Sequence, residues 1–163
     1  MKHATLCLPI TESEVLLGMK KKDFGVGKWN GFGSKVKDGE TPEQATIREL
    51  KEECGLDASE EHLEKVAVLL FYFNKKPVFF MHTYVLKDWA GEPFESEEMK
   101  PKWHRLDRVP YEEMWAADRF WMEDVVKGKK VAAHVHFRTS STPGLSDEEF
   151  DRFETDSKLW DFK

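Results

Sequence analysis

Five glycines, Gly25, Gly27, Gly31, Gly33 and Gly39, fall within fifteen residues, and a helix with both ends marked follows at once. Glycine at this density disfavours regular structure and permits close approach of backbone to a ligand. Thr41 is a good N-cap, Pro42 suits the first helical position, and Gln44 completes a capping box. The helix runs through Ala45, Ile47, Leu50 and Lys51, and Gly55 is placed to end it. This permissive loop feeding a capped helix is the most restrictive feature of the chain.

Around it the pattern is mostly strand. Thr5–Ile10 and Val15–Met19 read as two strands separated by a polar turn. Val66–Phe73 and Val78–Leu86 read as a pair around the turn Asn74-Lys75-Lys76-Pro77. Lys102–Leu106 and Val131–Phe137 read as further strands, and Met114–Val126 as a second helix. Residues 139–146 are turn-rich, and Phe150–Phe162 is compatible with strand or helix. No repeat or linker interrupts the 163 residues, so one α+β domain is expected, an α/β/α sandwich over residues 1–163.

The net charge of −6 and the lack of a basic stripe argue against a nucleic-acid polymer as partner. A small phosphorylated ligand needs only a local positive pocket. No apolar run approaches the ~20 residues of a membrane span. The start, Met1-Lys2-His3-Ala4, lacks a signal-peptide core. Cys7 and Cys54 give no disulfide framework, so a reducing cytoplasm is the expected setting. A monomer is the expected state.

The first helix carries Glu49, Glu52 and Glu53, at i, i+3 and i+4. That spacing puts three carboxylates on one face, where they repel by ~1 kcal/mol per pair even in water. A divalent cation would reverse that sign, and magnesium is held by a few carboxylates plus substrate phosphates. Such a face is commonly just solvated. The glycine loop before it, Arg48 beside it and Gly55 closing the helix tilt the reading toward a site.

Taken together, Ser34-x5-Glu40-x7-Arg48-Glu49-Leu50-x-Glu52-Glu53-x-Gly55-Leu56 resembles the Nudix box, G-x5-E-x7-R-E-U-x-E-E-x-G-U with U aliphatic. Only the first position departs, with Ser34 for glycine. The resemblance implies the Nudix fold, a mixed β-sheet between helices, and pyrophosphate cleavage of a nucleotide with Mg²⁺ or Mn²⁺. It implies Glu49, Glu52 and Glu53 as helix metal ligands, the carbonyl of Gly33 as another, and Glu40 paired with Arg48. The general base stays open among Glu49, Glu53 and Glu98.

Further segments, Leu16–Lys21, Gly27–Gly33, Glu95–Met99 and Met114-Trp115, are similar to those of the animal MutT homologues in that family. Those enzymes convert oxidised purine nucleoside triphosphates, such as 8-oxo-dGTP, to monophosphates. The similarity stops near residue 137, and the tail beyond about 138 diverges. By this resemblance Glu98 adds a metal ligand, Lys20 and Lys35 meet the phosphates, and Asn30, Trp115 and Asp118 meet the base. Phe24, Phe71 and Phe73 would line the same pocket. Where the relatives have two adjacent aspartates, this chain has Ala117-Asp118, which puts broad recognition of several oxidised purines in doubt. Serine at position 34 would cost of order 1 kcal/mol if that site needs φ > 0. An RNA 5′ end, a dinucleoside polyphosphate, or nucleotide binding without catalysis are the competing readings. The histidines, including His134 and His136, read as structural.

Overall fold

The computed structural model describes residues 1–23, 25–138 and 150–162. Phe24 and the turn-rich stretch 139–146 lie outside them. A five-stranded mixed sheet has the order β1-β5-β4-β7-β8. β1 (Lys2–Pro9) runs parallel to β5 (Lys76–Leu86), which pairs antiparallel with β4 (Leu63–Phe73). β4 is parallel to β7 (Val131–Phe137), and β7 carries antiparallel β8 (Phe150–Thr155). A second, antiparallel sheet sets β2 (Glu14–Lys20) between β3 (Trp29–Asn30) and β6 (Met99–Arg105).

The β4–β5 turn is tighter than its sequence suggests. Only Asn74 and Lys75 form it, both with positive φ (51° and 70°), as a primed two-residue hairpin turn requires. Lys76 and Pro77 therefore belong to β5. Pro77 is tolerated there because β1 begins to pair with β5 only at Phe79, so no β1 partner misses its N–H.

Strand alternation gives the large sheet two apolar faces. On one, Leu6, Leu69, Phe71 and Val135 pack with Trp121, Met122 and Val125 of helix α2 (Asp118–Val126). On the other, Cys7 packs with Leu50 and Cys54 of helix α1 (Pro42–Cys54), beneath Leu16 and Phe32. Farther along that face Val68, Leu70 and Phe80 lie under Leu159 and Phe162. The sheet is thus held between the two helices, and each buried Leu or Val contributes about 1.5–3 kcal/mol.

α1 has the expected ends. Thr41 Oγ1 accepts from the Gln44 N–H at 3.1 Å, and Gln44 Oε1 accepts from the Thr41 N–H at 2.9 Å. Gly55 caps it in the left-handed region at φ 78°. α2 starts four residues later than the apolar pattern implies. Met114 is buried yet extended (φ −122°, ψ 174°), so burial there reflects core packing and not helix. The tail divides: Phe150–Thr155 is strand, and Ser157–Asp161 is a 3₁₀ turn. Leu106 likewise leaves β6 to open a 3₁₀ turn. Both thiols are buried and free. Burial pushes the Cys54 thiol up to about 12 and raises Cys7 as well, so neither serves as a thiolate.

Candidate active site

The glycine loop crosses β1 and delivers its backbone to the acidic helix. The Cys7 and Phe32 backbones exchange two hydrogen bonds (2.6 and 3.0 Å), and the Thr5 N–H donates to Ser34 O at 2.9 Å. A Cβ at Gly33 would sit 1.9 Å from Thr5 O, so no side chain fits. Ser34, in contrast, is absent from the described non-glycine residues with positive φ, Asp23, Asn74 and Lys75. The left-handed strain that serine would suffer does not arise.

From this loop the Gly33 N–H donates to Glu53 Oε1 at 2.7 Å. Arg48 organises the other side. Its Nε and Nη2 donate to the two oxygens of Glu40 (2.7 and 2.9 Å), and its Nη1 donates to Glu49 Oε1 at 2.6 Å. Fork geometry of this kind fixes direction as well as charge, and it holds Glu40 down to about 2. Glu52 stands 3.5 Å from the same guanidinium, with its side chain 57% exposed. The carboxylate face is therefore graded: Glu53 and Glu49 buried, Glu52 at the rim.

Burial, with the charge of Glu49 added, pushes Glu53 up to about 8 despite the Gly33 amide. Burial also raises Glu49 against the pull of Arg48. The negative charge of Glu98 bears on both residues, and Lys20 opposes it at Glu53. Carboxyls crowded so that their ionised forms are disfavoured suit a divalent cation, which would restore the ionised forms. Among the described residues no three acidic, histidine or cysteine side chains already converge as a cage. The donor set thus fits an ion completed by phosphate oxygens and water, the usual state of Mg²⁺.

Beside Glu53 lies a cavity of about 380 Å³, within the range that holds a nucleotide-sized ligand. Lys20, Asn30, Gly33, Lys35, Glu53, Phe71, Trp115 and Asp118 all line it. The Lys28 ammonium stands 5.0 Å from the Trp115 ring centre, and Trp121 Nε1 donates to Asp118 Oδ1 at 3.3 Å. Ala117 lines the same wall and is buried, so its methyl occupies the place of a second carboxylate. A larger cleft, of about 670 Å³, opens beside Lys127 and Gly128 and holds none of these residues.

Phe73 is not part of the cavity wall. It shares a face with Phe71 but lies two residues, about 7 Å, farther along β4, and packs behind Phe79 and Phe137 (ring centres 6.1 and 5.8 Å). Phe24 lies outside the described residues. Leu6, Phe79, Met81, Met99 and Phe137 also line the cavity, and sequence reasoning missed them. The alternation Phe79-Phe80-Met81 was the available signal, because it sends Phe79 and Met81 to the face opposite buried Phe80. His134 and His136 do not share a point. His134 lies between Tyr72 Oη (2.7 Å) and Asp156 (2.9 Å), and His136 faces Glu154 at 3.2 Å.

The NUDIX domain family matches residues 1–125. An oxidized purine nucleoside triphosphate hydrolase of Danio rerio is 42% identical over 138 residues, 84% of this chain and 87% of that protein. The enzyme of the same name in Mus musculus is 42% identical over 139 residues, 85% and 88% of the two chains. The crystal structure of a MutT protein from Bacillus halodurans superimposes with a TM-score of 0.79 at 24% identity, covering 96% of this chain and 98% of that one.

Proposed function

The chain belongs to the Nudix hydrolase family, and on that premise we propose that it hydrolyses oxidised purine nucleoside triphosphates, 8-oxo-dGTP among them, to the monophosphate and pyrophosphate. Such an activity sanitises the nucleotide pool. One observation carries the reading: buried Glu53, anchored on Gly33, lines the same cavity as Asn30, Trp115 and Asp118. The reacting phosphates and the base would then occupy one continuous space.

In this reading Glu49, Glu53 and Glu98, with Glu52 at the rim and the Gly33 carbonyl, hold Mg²⁺ or Mn²⁺. The ion, when bound, supplies charge for the phosphate chain and a more acidic water. Arg48 keeps Glu49 aimed. Lys20 and Lys35 pair with phosphate oxygens. Trp115 stacks on the purine, and Asn30 both donates and accepts at its edge. An ionised carboxylate only accepts, so Asp118 favours an edge with adjacent N–H donors, as N1 and N2 of 8-oxoguanine provide. Phosphate is recognised here by two lysines in an acidic protein, so a free nucleotide is favoured over RNA.

Two free thiols agree with a reducing cytoplasm, and the protein is proposed to act as a monomer. No helix among the described residues is long and apolar enough to cross a membrane.

The test is a panel of oxidised and unmodified nucleoside triphosphates incubated with Mg²⁺. Pyrophosphate, not stepwise phosphate, should appear, fastest with an oxidised purine. Equal turnover of every unmodified nucleotide would refute the substrate assignment.

A further inference from the structure

The loop that carries Glu98 is tied down at both ends. At one end the Phe94 N–H donates to Cys54 O at 3.0 Å. The Phe94 ring also lies against Gly55 so closely that a Cβ there would come within 1.8 Å of it. At the other end a single residue, the first after β2, makes three bonds. Lys21 Nζ donates to Glu95 Oε2 (2.6 Å) and to Ser96 O (2.8 Å), and the Lys21 N–H donates to Glu98 O at 2.8 Å. Between these ties the turn is closed by its own bonds. Ser96 Oγ accepts from the N–H of Glu98 and of Met99 (3.3 and 3.1 Å), and the Ser96 N–H donates to Met99 O at 2.9 Å.

The last residue of β2 and the one after it are thus divided between two tasks. Lys20 lines the cavity, whereas Lys21 reaches the loop. We propose that Lys21 is a positioning residue: it fixes the Glu95–Glu98 turn so that the Glu98 carboxylate is held ready for the divalent cation beside Glu49 and Glu53. The inference rests on the hydrolase reading and adds a role to a lysine outside the cavity. Lys21 is one-third exposed and Glu95 about half, and ion pairs of that kind add little to stability. Its effect should therefore appear in metal binding and not in the melting temperature.

The experiment is Mn²⁺ binding followed by electron paramagnetic resonance, without nucleotide, on the full chain and on Lys21→Met, Lys21→Arg, Glu98→Gln and the double variant Lys21→Met/Glu98→Gln. Lys21→Met should weaken Mn²⁺ about tenfold, the lower end of what loss of a residue orienting a ligand costs. Lys21→Arg keeps the charge and both donors and should stay within about threefold of the parent on the same scale. In the Glu98→Gln background Lys21→Met should add nothing. Unchanged Mn²⁺ affinity in Lys21→Met, or an equal loss with and without Glu98, overturns the assignment while leaving the hydrolase reading intact if the parent still cleaves nucleotides. A parent that neither binds Mn²⁺ nor cleaves any nucleotide overturns both.

Discussion

The Gly33 N–H and Glu53 Oε1, 2.7 Å apart, join the glycine loop to the acidic helix by a direct hydrogen bond. That bond favours the ionised carboxylate, yet burial and the neighbouring Glu49 prevail and Glu53 is pushed up to about 8. A carboxyl whose folded pKa exceeds its unfolded value holds more protons in the folded state between the two values. Stability from this group is therefore greatest at acid pH and falls as pH rises from the ordinary carboxylate range to about 8. Melting temperatures measured in chelator across that window should decline with pH. Glu53→Gln should flatten the decline, and so should Mg²⁺, by stabilising the ionised form. A slope unchanged by Glu53→Gln would contradict the burial argument.

Ser34 stands where the family motif has glycine, and its φ is not positive. Ser34→Gly then relieves no strain and only adds freedom to the unfolded chain, a loss of about 0.4–1 kcal/mol. Turnover should be nearly unchanged. Gly33→Ala is the opposite case, because its methyl would meet Thr5 O at 1.9 Å. Overpacking of that kind costs about 1–3 kcal/mol or more, and it should also pull the Gly33 amide off Glu53. Urea melts of both variants check the contrast.

Arg48 binds Glu40 through both oxygens and Glu49 through one. Arg48→Ala leaves the Glu40 and Glu49 carboxylates without the cation that holds both, so the denaturation midpoint and kcat should both fall. Arg48→Lys should recover little, since an ammonium cannot reproduce the fork. Denaturant melts with kcat in parallel test this. Full recovery by lysine would show that charge alone matters.

Ala117 and Asp118 line one wall of the cavity. Ala117→Asp would place a second carboxyl beside the first, and two such groups in one buried site do not both ionise. One would become a donor, so purine edges presenting an acceptor would gain. The ratio of oxidised adenine to oxidised guanine nucleotide in kcat/KM should rise. A fall, or no change, would separate base choice from this wall.

Much of the reacting end was legible in the chain because it is local. The helix, its caps and the carboxylate spacing lie within Thr41–Gly55, and backbone periodicity places them without tertiary information. The base end was legible only through resemblance, since Asn30, Phe71 and Asp118 come from three separate elements, β3, β4 and α2, with Trp115 in the turn just before α2. Phe79 and Met81 escaped notice because an aromatic on a strand reads as core unless the opposite face is known to be hollow. Phe73 was misplaced for the converse reason: sharing a face with Phe71 does not bring it to the same cavity. Lys21 is the middle of three adjacent lysines, Lys20-Lys21-Lys22, and nothing in its own neighbourhood announces that Glu95 and Ser96 fold back onto it.

The most direct measurement is product analysis of 8-oxo-dGTP incubated with Mg²⁺ and either the parent chain or Glu53→Gln. The parent should yield 8-oxo-dGMP and pyrophosphate, and Glu53→Gln should be slowed by at least about a hundredfold, the scale of losing one general acid–base group. Release of single phosphates by the parent, or full activity in Glu53→Gln, would contradict a pyrophosphate cleavage centred on the acidic face of α1.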